Sequence, residues 1–264
     1  MLRAIAIAPF TLIFALLFPA TAPAAIKTQN VEYKIGDTVF EGYLAVDSVG
    51  PKKKPGVLVV HAWKGLDANA KERADMLAKL GYVAFAADIY GKGIRPQDPK
   101  DAAALSGSFK NDRAKLRIHV NAALEELKKQ KGVDASHLAA IGYCFGGTTV
   151  LELARSGADV KGVVSFHGGL GTPKPEDAKN VKAKVLALHG ADDPFVKDEE
   201  VKAFEDEMRA GKVDWQLVKY SGAVHSFTHK DAGNDPSKGQ AYHADADRRS
   251  WQAMRDFFKE ILGK

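Results

Sequence analysis

The feature that most restricts this chain is a regular alternation of short apolar runs with helical stretches. Strand-like runs occupy 56–61, 82–87, 138–143, 160–166, 185–189 and 213–220, and 56–61, Gly-Val-Leu-Val-Val-His, is continuously apolar. A strand with one wet face alternates apolar with polar residues, whereas a continuous run is what a strand buried on both faces requires. Helical periodicity covers 70–80, 114–129, 148–154 and 197–210, and 243–262 closes the chain with a helix. The first of these stops at Gly81, an ordinary helix terminator. This alternation predicts an α/β fold: a mostly parallel central sheet with helices on both faces. Residues 31–35 and 39–46 flank Gly36-Asp37, a hairpin signal that adds an N-terminal antiparallel pair at one edge.

Residues 25–264 read as one domain, long enough to bury a full core without disulfides or a structural metal. Residues 1–24 read differently. Arg3 is followed by an apolar stretch from Ala4 to Phe18, then by the small-x-small site Ala22-Pro23-Ala24. This is the pattern of a secretory signal peptide cleaved after Ala24. The stretch is short for a membrane span and contains Pro9. A secreted protein is expected, periplasmic in a bacterium with two membranes, with no stable membrane insertion after cleavage. The net charge is +5, but the basic residues are scattered, and Lys52-Lys53-Lys54 lies between Pro51 and Pro55 as a solvated loop would. Nucleic acid is therefore not an expected partner. The only cysteine, Cys144, has no partner within the chain for a disulfide. In an oxidising compartment such a thiol is a liability unless it is buried or used.

In parallel sheets chemistry collects at the carboxyl ends of the strands. Cys144 follows the 138–143 run, Asp192-Asp193 follows 185–189, and His225 follows 213–220. Gly142-Tyr143-Cys144-Phe145-Gly146 fits the G-x-nucleophile-x-G elbow. There the nucleophile sits on a strained strand-to-helix turn, and glycines flank it because side chains would collide as strand and helix close together. A helix N-terminus stabilises a thiolate, and the N–H of Phe145 would face a developing oxyanion. His225 is the candidate base. Asp193 is the candidate orienting acid, with Asp192 as its competitor. The plain alternative, a core cysteine beside a glycine-rich turn, leaves the acid and the histidine at later strand ends unexplained. His61, His167, His189 and His225 all fall near strand ends, yet no H-x-x-x-H or H-E-x-x-H spacing is present. No metal is expected, and His61 and His167 read as supporting or packing residues. No G-x-G-x-x-G follows a strand, so no cofactor is expected.

The sequence resembles the dienelactone hydrolase family over nearly the whole mature chain. The resemblance rests on 59–66 (Val-Val-His-Ala-Trp-Lys-Gly-Leu), 88–93 (Asp-Ile-Tyr-Gly-Lys-Gly), 142–147, 189–196 and 223–227. It implies an α/β-hydrolase fold, a nucleophile at Cys144, an acid at Asp193, a base at His225 and a second oxyanion N–H from Trp63. Ala62 stands where the family pattern often carries a glutamate that helps activate the thiol. Lys92 and His229 stand where characterised members use arginines to hold the substrate carboxylate, which makes them candidate substrate-binding residues. The expected function is hydrolysis of a small-molecule ester or lactone through a thioester on Cys144, by a monomer or small homo-oligomer. With Ala62 unable to take the thiol proton, a resting thiolate–imidazolium pair between Cys144 and His225 is expected. The alternatives are an envelope protein that uses a low-pKa Cys144 for redox or electrophile sensing, and a binding module without turnover. Neither needs Asp193 or His225.

Overall fold

The computed structural model describes residues 25–263. One eight-stranded sheet forms from β1 (Ile26–Ile35), β2 (Thr38–Asp47), β3 (Lys54–Val60), β4 (Val83–Ala87), β5 (Val133–Tyr143), β6 (Gly162–Phe166), β7 (Lys184–Gly190) and β8 (Trp215–Tyr220). Its order is β1-β2-β4-β3-β5-β6-β7-β8. β1 and β2 form the antiparallel edge hairpin, β2 meets β4 antiparallel, and every pairing from β4 to β8 is parallel. The helices are α1 (Ala68–Lys79), α2 (Pro99–Asn111), α3 (Arg113–Lys129), α4 (Phe145–Arg155), α5 (Asp198–Ala210) and α6 (Ala244–Leu262). The expected α/β-hydrolase architecture is therefore the observed one. The signal-peptide reading falls on 1–24, outside the described residues.

The continuous apolar runs have the cause expected of them. Leu58 and Val60 of β3 face a core built with α2, α3, α4 and α5, through Phe109, Leu124, Val150 and Phe204. Val57 and Val59 face a second core built with α1 and α6, through Leu77, Met254 and Phe258. A period-two chain with helices on both sides has no position left for a polar residue. Where the outer part of a strand leaves the cores, the run stops early. β5 begins at Val133, yet Asp134, Ala135, Ser136 and His137 lie toward solvent, so only its inner part carries the apolar signal.

α4 begins at Phe145, directly after Cys144, as the elbow reading expects. One helix differs from the sequence reading: α2 was not foreseen. Its signals are local: Asp98 accepts from Lys100 N–H at 2.7 Å as an N-cap, and Pro99 occupies the first turn. Its interior, however, is Ala- and Ser-rich and buries only Ala102, Ser106 and Phe109.

Candidate active site

The sheet order reverses around β3, whose neighbours are β4 and β5. Loops leaving the carboxyl ends of β3 and β5 diverge to opposite faces and open a crevice there. Cys144 stands on the β5 side of that crevice and Trp63 on the β3 side.

The turn into α4 is as tight as its glycines imply. Cys144 has φ 54° and ψ −113°, a left-handed conformation that is costly for a residue with a Cβ. Its N–H donates to Phe166 O at 3.0 Å, and its carbonyl accepts from Gly147 N–H at 3.0 Å. A Cβ on Gly142 would lie 2.0 Å from Gly146 O, and one on Gly146 would lie 2.2 Å from Val60 O. Backbone therefore packs on backbone, which holds the strained turn and projects the sulfur upward at the helix N-terminus.

The Asp and His loops are zipped together before their side chains meet. Ala191 N–H donates to Tyr220 O at 2.9 Å and Asp192 N–H to Ala223 O at 3.0 Å. His225 N–H donates to Gly239 O, and His225 O accepts from Ala241 N–H, each at 3.1 Å. The result is a continuous line of contacts: His225 Nε2 to Cys144 Sγ at 3.0 Å and His225 Nδ1 to Asp193 Oδ2 at 2.8 Å. The other Asp193 oxygen accepts from Phe195 N–H at 2.9 Å. The structure thus places Asp193 against the imidazole, while Asp192 is exposed.

The electrostatics follow from this line. Burial disfavours the Cys144 thiolate, but the His225 charge, its hydrogen bond and the Phe145 N–H outweigh that and lower the thiol pKa. Burial likewise works against a protonated His225, but the thiolate and Asp193 push its pKa up to about 10. Both shifts favour a thiolate–imidazolium pair over the neutral pair.

Cys144 and His225 lie at the floor of a cavity of about 460 Å³. Trp63, Ala103, Phe145, Phe195 and Val196 make its wall largely apolar, and Lys110 and Lys238 supply its cations. Lys92 and His229, the expected substrate-binding residues, do not reach it. Lys92 N–H donates to Val39 O at 2.9 Å, which draws the chain toward β2, and the side chain pairs with Glu32 and Glu41 on the hairpin. His229 is only 7% exposed and lines a separate small chamber. Lys110 was missed because it belongs to α2. Its position over the crevice depends on how that helix crosses the sheet.

His61 and His167 each have a ring nitrogen engaged inside the core. His61 Nε2 accepts from Ile89 N–H at 3.1 Å, and burial lowers its pKa to about 4. His167 Nε2 lies 2.8 Å from Thr228 Oγ1. Among the described residues no three His, Cys, Asp or Glu side chains are grouped to hold a metal, and no helix is long and apolar enough to cross a membrane.

A mostly parallel sheet of this order, with a cysteine on its strained β5–α4 turn and a histidine–aspartate pair at later strand ends, defines the α/β-hydrolase class. Comparison with known proteins narrows the class. The model of the dienelactone hydrolase family matches residues 40–262. The chain is 32% identical to protein usf of Aquifex pyrophilus, with 89% of this chain and 99% of that protein covered. It is 28% identical to an Escherichia coli protein named as a candidate carboxymethylenebutenolidase, with 93% and 95% covered. Among solved structures, m3DLH is 44% identical with a TM-score of 0.87, covering 90% of this chain and 99% of that one. A dienelactone hydrolase-like promiscuous phosphotriesterase from metagenomic libraries is 43% identical with a TM-score of 0.85, at the same coverage. The chain belongs to the dienelactone hydrolase family, and it is a hydrolase.

Proposed function

We propose that this protein hydrolyses small carboxylic esters or lactones through a thioester on Cys144, after export and removal of residues 1–24. The observation that carries this reading is the unbroken Cys144–His225–Asp193 line at the floor of an apolar cavity. The thiolate adds to the substrate carbonyl. The oxyanion is held by the Phe145 N–H at the α4 N-terminus and by the Trp63 N–H, which makes no hydrogen bond among the described residues. Collapse breaks the carbon–oxygen bond, and His225 gives its proton to the departing alkoxide. Water then adds to the thioester, His225 takes a proton from it, and the thiolate departs to restore the ion pair. Asp193 keeps the imidazole oriented through both halves. Trp63, Phe145 and Phe195 favour an apolar substrate body. The relatives named for carboxymethylenebutenolidase and dienelactone hydrolase activity support the ester or lactone class.

The reading is tested with a panel of p-nitrophenyl esters and small lactones on protein beginning at Ala25. Catalytic turnover is expected in the parent, and Cys144→Ala should abolish it without altering the circular dichroism spectrum. Turnover that survives in Cys144→Ala would remove the nucleophile from the reading. Stoichiometric modification of Cys144 with no turnover on any ester or lactone would favour the thiol sensor instead.

A further inference from the structure

An oxyanion hole works only when its N–H groups already point at the place where charge develops. The two donors here are held differently. The Phe145 N–H is fixed by the first turn of α4. Trp63 lies in the connection between β3 and α1, where no helix or strand directs its N–H. That connection does run beside the elbow. Val60 pairs with Gly142 across β3 and β5, and a Cβ on Gly146 would lie 2.7 Å from His61 O. Trp63, Cys144 and Phe145 all line the substrate cavity.

A peptide unit is planar and rigid, so the Trp63 N–H and the Ala62 carbonyl point in opposite directions from one bond. Whatever holds Ala62 O therefore aims the Trp63 N–H. Ala62 O lies 2.6 Å from His61 Nδ1, and Gly65 N–H donates to it at 3.3 Å. His61 is fully buried, and its other nitrogen, Nε2, lies 3.1 Å from Ile89 N. A backbone N–H can only donate, so Nε2 is the acceptor and the neutral ring carries its proton on Nδ1, facing Ala62 O. The ring itself is gripped on both sides. It stacks on Phe145 with centroids 5.9 Å apart and meets the Tyr90 ring at 4.8 Å. The Tyr90 hydroxyl in turn donates to Trp63 O at 3.0 Å, so the carbonyls on either side of the Trp63 N–H are both held by buried side chains.

We propose that His61 is a positioning residue of the oxyanion hole: its Nδ1–H holds Ala62 O and so aims the Trp63 N–H at the substrate oxyanion. A hydrogen bond on the carbonyl also polarises the peptide and strengthens that N–H as a donor. The inference rests on the acyl-enzyme reading above, and its test separates the two.

The test compares two reactions of Cys144 in the parent, His61→Gln and His61→Asn. Acylation by p-nitrophenyl acetate, followed by stopped flow and intact-protein mass spectrometry, passes through an oxyanion. Alkylation by iodoacetamide displaces iodide from a saturated carbon and forms none. Gln can replace Nε2 as acceptor for Ile89 N–H but gives Ala62 O no donor, whereas Asn places an amide N–H where Nδ1 stood. In His61→Gln the acylation rate at saturating substrate should fall about a hundredfold while alkylation stays within about twofold. His61→Asn should recover acylation to within about tenfold of the parent. If alkylation falls together with acylation, His61 supports the site as a whole and the inference is wrong. If His61→Gln acylates like the parent, or His61→Asn loses as much as His61→Gln, the bond to Ala62 does not matter and the inference is again wrong. The parent supplies a check that needs no variant to fold. Its His61 15N signals, assigned through the coupling across the Ile89 N–H to Nε2 hydrogen bond, should show a protonated Nδ1, and an unprotonated Nδ1 would overturn the inference. If the parent forms no acetyl adduct on Cys144, the acyl-enzyme reading itself fails, and this inference with it.

Discussion

At the scale of single residues, the proposed reaction assigns nearly all of the chemistry to three side chains that set one another's protonation. Asp193 contributes through geometry: one oxygen holds His225 Nδ1 and the other is fixed by the Phe195 N–H. Asp193→Asn should lower kcat about a thousandfold, as when the orienting acid of a serine triad is lost, while Asp192→Asn changes it little. Steady-state kinetics of the two variants checks this, and the reverse ranking would contradict it. The thiol is lowered and the imidazole raised, which favours the ion pair. Iodoacetamide alkylation of Cys144 should therefore stay fast well below the free thiol value of about 8.5. In His225→Ala the charge that offsets burial is gone, and the alkylation profile should move above that value. On the alkaline side the sign reverses: as pH passes about 10 the imidazolium loses its proton. The leaving alcohol then has no acid, and kcat/KM should fall.

At the scale of elements, the β5–α4 turn does most of the positioning. Its strain is held by contacts between backbones, with Gly146 against Val60 O and Gly142 against Gly146 O. Gly146→Ala places a Cβ 2.2 Å from a carbonyl oxygen that has no rotamer to relax into. The strand or the helix must move, at a cost of about 3 kcal/mol. Thermal denaturation should show a marked drop in Tm, and the displaced sulfur should lose most of its activity. α2 acts on the other side of the crevice. It carries Ala103, Ser106 and Lys110 into the cavity wall, so substrate preference should respond to changes on this helix more than to Lys92.

At the scale of the whole molecule, the expected cleavage site adjoins the start of β1. Ala25 N–H donates to Asp47 Oδ1 at 3.1 Å, which ties the start of β1 to the end of β2. Expression of the full chain in a two-membrane bacterium should yield periplasmic protein whose N-terminal sequence starts at Ala25. Retention of residues 1–24 on a membrane-bound product would contradict export with cleavage. By itself the sequence determined the central strands of the sheet, because strands buried on both faces admit almost only apolar residues and so leave a nearly unbroken signal. It also marked the β5–α4 turn, whose glycines are demanded by backbone contacts a few residues apart. Tertiary structure alone decided what depends on distant segments meeting. The choice of Asp193 over Asp192 follows from the β7 loop being zipped to the β8 loop, which turns one carboxylate inward and leaves its neighbour in water. Lys92 was drawn to Glu32 and Glu41 by pairing along β2, and Lys110 was brought over Cys144 by the path of a weakly patterned helix. His229 was buried behind the site by the turn at Ser226, whose φ of 58° no local residue preference announces.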